Sequence, residues 1–270
     1  MEKSAKQNEE EQMYHRGIGF VGGGRVTRIF LHGWKYAGSM PARVTVYDCS
    51  GETLGKLKDR FPNIEIAVGI DAAAGQDVVF LAVHPPVMCD VCSAVRAHLK
   101  PDAIVVSLAP KFTVAKLAEL LGGVSRVARV IPNAPSVIGQ GYNPIAFGPA
   151  LSIQDRSYIK QLLEPLGDCP EVSEEKLEAY AILTGMGPTY LWFQLQTLRE
   201  VVSGLGLSDA EIVPAMKRMV CGATRTLLES GLTPGEVMDL IPVKPLAEME
   251  AQVTDMYRTR LSTIYQKIKP

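Results

Sequence analysis

Gly17-Ile18-Gly19-Phe20-Val21-Gly22-Gly23-Gly24-Arg25-Val26-Thr27 is the stretch on which the fold turns. A short apolar run stops at three glycines, and from Arg25 to Trp34 apolar residues recur at helical spacing. The reading is strand, tight turn, helix. In that setting a G-x-G-x-x-G/A turn lets the backbone approach a pyrophosphate, whose charge rests on the positive end of the helix. Gly22 serves the tight turn and Gly24 the close approach, with Gly23, Arg25 and Val26 completing the expected cofactor contacts. Thr27 takes the third small position, where it crowds the helix against the strand but is still short.

The next strand, Ala42 to Tyr47, ends at Asp48, 26 residues after Gly22. A carboxylate there accepts hydrogen bonds from the adenosine ribose hydroxyls and repels a 2'-phosphate, although an acidic turn residue is the plainer alternative. Asp48 followed by Cys49 offers no arginine for such a phosphate. The expected cofactor is therefore NAD(P)H, with NAD preferred over NADP.

Further along, Gly51 to Phe61 reads as a helix, Ile64 to Val68 as a short strand and Val87 to Leu99 as a helix. Asp77 to Val83 is continuously apolar, as a strand covered on both faces should be. Ala103 to Leu108 and Ser125 to Ile131 are strands separated by a helix over Val114 to Leu121. Such alternation predicts a parallel sheet with ligands at the carboxyl ends of its strands. Beyond about residue 168 the strand signals cease. A helix is expected from Pro188 to Gly204, a second after the capping box Ser208-Asp209-Ala210-Glu211, a third after Thr233-Pro234-Gly235-Glu236 and a fourth from Leu246 to Ile268. The predicted fold class is α/β, a Rossmann-type parallel-sheet domain followed by an all-helical dimerisation domain. Its expected parts are a polar tail over 1–16, a dinucleotide-binding domain over 17–168 and a helical substrate and dimerisation domain over 169–270. Met216, Met219, Leu227, Met249, Val253 and Met256 exceed what so small a bundle hides within one chain, so a homodimer is expected.

Composition narrows the function classes. Lys plus Arg number 28 against 29 Asp plus Glu, which leaves no broad positive field for a nucleic acid. The first 16 residues, MEKSAKQNEEEQMYHR, contain no apolar core of a signal peptide, and no later run approaches the roughly 20 apolar residues of a membrane span. A cytoplasmic protein without membrane or nucleic-acid partners is expected. The cysteines, 49, 89, 92, 169 and 221, are scattered and expected to be reduced. Cys89 and Cys92 form a C-x-x-C that lacks a second ligand pair at zinc spacing, so two half-buried helical thiols is the preferred reading and no metal is expected.

A family resemblance covers nearly the whole chain after the tail. Gly19-Phe20-Val21-Gly22-Gly23-Gly24 is similar to the GFIGxG of pyrroline-5-carboxylate reductases, and Leu81-Ala82-Val83-His84-Pro85 to their LAVKP. Arg129-Val130-Ile131-Pro132-Asn133-Ala134-Pro135 matches R-V-M-P-N-T-P, and Thr184-Gly185-Met186-Gly187-Pro188-Thr189-Tyr190 resembles S-G-S-G-P-A-Y. Gly204 to Leu207, Glu229-Ser230-Gly231, Pro234 and Asp239 continue in register. The resemblance implies two chains interlocked through the helical domain, and hydride transfer from NAD(P)H to the C=N bond of a small cyclic imino acid. It implies cofactor contacts at Ala82, Val83, His84 and Asn133, substrate contacts at Thr184, Gly185, Met186 and Gly187, and catalytic roles for Thr184 and Asn133. Asn133 equally suits a turn cap, His84 a plain turn histidine, and Thr184 a helix cap or core residue.

The departures concern the substrate. The family's S-P-G-G-T-T loop, which binds the substrate carboxylate, is here Val243-Lys244-Pro245-Leu246-Ala247-Glu248. Met186 replaces a serine, Gln196 a glutamate, and Arg218 a glutamine; Arg218 and Lys244 are candidate replacement partners for an anion. A site stripped of paired polar groups discriminates against its former ligand. Pyrroline-5-carboxylate is accordingly expected to be turned over poorly and a bulkier or more apolar cyclic imine better. The rival readings are a reductase of a carbonyl or a deazaflavin, and a non-catalytic dinucleotide sensor.

Overall fold

The computed structural model describes residues 16–270, so the polar tail, but for Arg16, lies outside the described residues. The chain divides into two units, one running to Met186 and including Ile264–Pro270, the other Gly187–Thr263.

In the first unit the strands are β1 (Ile18–Val21), β2 (Val44–Tyr47), β3 (Glu65–Ile66), β4 (Val78–Leu81), β5 (Ile104–Ser107), β6 (Val127–Val130), β7 (Gly141–Tyr142), β8 (Ile145–Phe147) and β9 (Gly167–Asp168). Seven of them form one sheet in the order β3-β2-β1-β4-β5-β6-β8, parallel as far as β6. Side chains alternate across it. Phe20, Phe80 and Val106 face a core shared with Phe30 and Trp34 of helix α1 (Arg25–Ala37). Val21, Val79, Leu81 and Val105 face the opposite core, with Met88 and Cys92 of a helix over Met88–Val95 and Leu117 of one over Val114–Leu120. Burial on both faces explains why these strands read as unbroken apolar runs. Phe20 and Phe80 stack at 4.8 Å across β1 and β4, and the Trp34 indole N–H donates to the Leu162 carbonyl at 2.8 Å.

Three expectations need correction. The strands do not all alternate with helices: β8 pairs with β6 antiparallel, matching Val130 with Ile145 and Ala128 with Phe147. No helical crossover is needed for that pairing, since the chain returns through a 3₁₀ turn over Ala134–Ile138. The break between units falls after Met186 rather than at residue 168, because Leu177 and Ala181 are buried against Ile131 and Ala146. Lastly, Cys89 and Cys92 are not alike, Cys89 being exposed and Cys92 buried, where burial and the neighbouring Cys89 push its thiol up to about 11.

The second unit holds helices over Gly187–Gly204, Asp209–Glu229 and Pro234–Asp239, together with most of the helix Ala247–Ile268. Both predicted capping boxes form. The Glu211 carboxylate accepts from the Ser208 N–H at 2.9 Å, and that of Glu236 from the Thr233 N–H at 2.8 Å. Ile212 is the one buried apolar side chain among this unit's residues. Among the described residues no helix is long and apolar enough to cross a membrane.

Asp155 ties β6 to the helix Ile153–Leu163. Its carboxylate accepts from the Ser152 hydroxyl at 2.8 Å and from the Arg126 guanidinium. Burial alone raises this carboxyl, but those bonds outweigh it and hold the group below the usual carboxylate value. Asp155→Asn should cost about 1–3 kcal/mol near neutral pH. Because the folded value is depressed, the contribution is complete above the unfolded carboxylate value of about 3.9 and is lost as pH falls through the folded value. Denaturant titrations of both proteins from pH 7 to pH 3 should show the gap closing with acid; a constant gap would remove Asp155 from the acid response.

Candidate functional site

The carboxyl ends of the strands gather the chemistry-bearing residues. At the end of β1, Gly22 has φ +108°, and a Cβ there would stand 2.4 Å from the Ala82 carbonyl oxygen at the end of β4. Only glycine accepts both the angle and the approach. Its N–H donates to the Tyr47 carbonyl at 2.7 Å, which draws the turn towards the end of β2. The Thr27 hydroxyl donates back to the Gly22 carbonyl at 2.5 Å, so the residue at the third small position fastens the turn rather than crowding it.

Gly24 contrasts with Gly22. A Cβ at Gly24 meets nothing within 4 Å, and the helix beginning at Arg25 has no side-chain cap at its N-terminus. Open space in front of uncapped first-turn N–H groups fits a pyrophosphate. Gly24 and Arg25 are exposed there and Val26 is half-buried. The Asp48 carboxylate accepts from the Gly23 N–H at 2.7 Å and from the Ser50 N–H at 2.8 Å. One oxygen thus holds the glycine turn and the other the start of the helix after β2, and each retains a lone pair for a ribose hydroxyl.

At the end of β4, Ala82 and Val83 are half-buried and His84 is exposed. The His84 carbonyl accepts from the Val87 N–H at 3.2 Å, opening a 3₁₀ turn over Pro85–Val87. At the end of β6 the Asn133 side chain is committed inside the protein. Its amide nitrogen donates to the Thr184 carbonyl, and its oxygen accepts from the Tyr142 N–H at 3.4 Å. Ala181–Gly185 is a π-helical turn, a wide turn often found at functional sites. The Thr184 hydroxyl in it donates to the Tyr180 carbonyl at 3.0 Å. Asn133, Thr184 and Gly185 therefore lie together, with Met186 next in the chain, whereas Gly187 begins the second unit. Of the replacements at the far end, Arg218 and Lys244 are exposed residues of that second unit.

Three residues escaped the sequence reading. Asn143 is fully buried, and its side-chain oxygen accepts from the Asn133 N–H at 2.9 Å and the Ser136 hydroxyl at 3.1 Å. Glu174 and Glu178 close on the buried Arg129, Glu174 at 2.9 Å. The four-residue spacing of two glutamates ahead of the Thr184 stretch was the available signal, since carboxylates so spaced share one helical face. Among the described residues no cluster of His, Cys, Asp or Glu is placed to hold a metal.

Comparison with known proteins bears on this edge of the sheet. The family profile described as NADP oxidoreductase coenzyme F420-dependent matches residues 17–111. A pyrroline-5-carboxylate reductase from Corynebacterium melassecola is 29% identical over 223 residues, covering 82% of this chain and 83% of the relative. The solved structure of a pyrroline-5-carboxylate reductase from Coxiella burnetii is 26% identical with a TM-score of 0.66, covering 94% of each chain. Along most of its length this chain is thus similar to pyrroline-5-carboxylate reductases. The Plasmodium falciparum pyrroline carboxylate reductase, solved with NADP bound, shares the fold at 17% identity, a TM-score of 0.69 and 94% coverage of each chain. The chain is an NAD(P)-dependent oxidoreductase of the pyrroline-5-carboxylate reductase type. The family stretches picked out in the sequence lie at the ends of β1, β4 and β6 and in the π turn pinned to Asn133.

The two glycines separate folding from binding. Gly22→Val should destabilise the protein by about 3 kcal/mol or more, through strain and the clash with Ala82. Gly24→Val should cost no more than about 1 kcal/mol and yet abolish dinucleotide binding. Thermal melts with calorimetry of NADH binding check both; a Gly24→Val protein that binds NADH as the parent does would place the cleft elsewhere.

Proposed function

We propose that this chain reduces the C=N bond of a small cyclic imino acid, preferring NADH to NADPH and working as a homodimer. The observation that carries the reading is the pinning of the Thr184 turn to Asn133, beside the glycine turn's sheet edge. The reaction needs the imine carbon held close to the nicotinamide and a proton on nitrogen. When bound, the nicotinamide supplies a hydride. Gly22, Gly23, Gly24, Arg25 and Val26 seat the pyrophosphate, Asp48 takes the ribose hydroxyls, and Ala82, Val83 and His84 border the cofactor. The Thr184 hydroxyl donates its own proton to Tyr180, so its oxygen is left to accept from the N–H of a protonated imine. Asn133 is a positioning residue that sets that turn. Gly185, Met186 and Gly187 border the substrate, and Met186 makes the site less polar than the family's serine does.

Several features support the finer points. A carboxylate at Asp48, already accepting from Gly23, leaves a 2'-phosphate no cation there and a like charge to face. Trp192, Met219, Met249, Val253 and Met256 of the second unit are exposed apolar side chains around a single buried one, more than an isolated unit leaves in water. The match to the coenzyme F420-dependent family ends at residue 111, within the dinucleotide-binding part, and so favours no deazaflavin substrate.

A panel of cyclic imino acids, with absorbance followed at the nicotinamide band, tests the reaction. A bulkier, more apolar imino acid should exceed pyrroline-5-carboxylate in kcat/KM. Turnover of pyrroline-5-carboxylate at about 10⁴ M⁻¹s⁻¹ or above would overturn that order, and no turnover of any imine alongside firm NADH binding would favour a sensor. NADH should bind more tightly than NADPH, with the difference shrinking in Asp48→Ser; equal affinities in the parent would remove Asp48 from cofactor choice. Light scattering at micromolar concentration should give a dimer, and a monomer would exclude the proposed assembly.

A further inference from the structure

Lys111 has φ +84°, the one non-glycine among the described residues with a positive value. That region sets a Cβ against the following carbonyl, and an ordinary residue stays there only where its surroundings dictate it. Here they do. The Lys111 N–H donates to Glu178 at 3.1 Å, the Val114 N–H to Glu174 at 2.6 Å, and both carboxylates are held by Arg129. On the near side, the Ala109 N–H donates to the Ser107 hydroxyl at 3.4 Å. The side chain on this rigid loop is exposed, and among the described residues its ammonium has no carboxylate within ion-pair distance.

Position decides what such a cation meets. Lys111 follows β5, which lies between β4 and β6, so the His84 and Asn133 stretches flank it. Asp48 ends β2, three strands away in the order β2-β1-β4-β5, or about 14 Å at the usual strand spacing. A lysine there is too distant to select a 2'-phosphate on the adenosine side and stands at the reacting end. We propose that Lys111 recognises the carboxylate of the substrate, taking over from the loop replaced by Val243 to Glu248. This rests on the assignment of an imino acid as substrate. Because the loop is fixed, only the lysine's four-carbon stem, and not the backbone, is ordered when the ammonium meets an anion.

Calorimetric titration of pyrrole-2-carboxylate and of pyrrole-2-carboxamide into the full chain saturated with NADH tests it. The parent should bind the carboxylate more tightly than the amide. Lys111→Met should weaken the carboxylate by about tenfold or more and leave the amide and NADH unchanged. Lys111→Gly should lose the same affinity while melting about 2 °C higher, since glycine relieves the backbone. A parent that does not prefer the carboxylate, or a Lys111→Met protein that keeps the preference, overturns the proposal. Imine reduction followed separately distinguishes the two readings. Lys111-dependent binding without any imine turnover defeats the reductase reading alone, and turnover without Lys111-dependent binding defeats this one alone.

Discussion

Arg129 is a charge in the core of the first unit, 1% exposed, and the site depends on how that charge is met. Removing an ion from water is costly, and an arginine on a buried strand is tolerable only when carboxylates come to it. Glu174 and Glu178 do so, and each also accepts a backbone N–H, Glu178 from the loop after β5 and Glu174 from the start of the helix that follows it. One guanidinium thus joins β6, the loop at Lys111 and the helical segment that runs into the π turn. The pairing fastens residues 174–178 to the sheet just ahead of the Thr184 carbonyl, which Asn133 holds directly.

The rest of the edge is built from backbone. Gly22 allows β1 and β4 to approach at their ends, Asp48 links the glycine turn to the start of the following helix, and Asn143 anchors the Asn133 peptide. Side chains that look like reagents in the sequence are committed to holding turns. That division suits a reaction in which a cofactor carries the chemistry and the protein contributes placement. The cores on both faces of the sheet make the platform rigid, whereas the second unit buries only one apolar side chain among its residues, Ile212.

Much of this was legible because its causes are local. A glycine turn between an apolar run and a helical one, an acid at the end of the next strand, and Ser or Thr three residues before Glu each state their structure within a few positions. The antiparallel edge strand was not legible. Ile145–Phe147 is three residues long, and nothing in a run so short tells direction. The unit boundary was missed for a related reason, since Leu177 and Ala181 belong to the first unit only through what they bury against.

The sequence by itself determined the Rossmann architecture, the glycine turn with its acidic partner, the helical character of the last third and the resemblance to pyrroline-5-carboxylate reductases. All of these follow from periodicity, turn chemistry and short motifs, which act over a few residues. Tertiary structure alone decided that Arg129 meets glutamates 45 and 49 positions away, that Asn133 holds the Thr184 turn, and that Lys111 stands in a strained loop after β5. Those outcomes arise from burial, which forces distant polar groups to find one another and has no counterpart in local spacing.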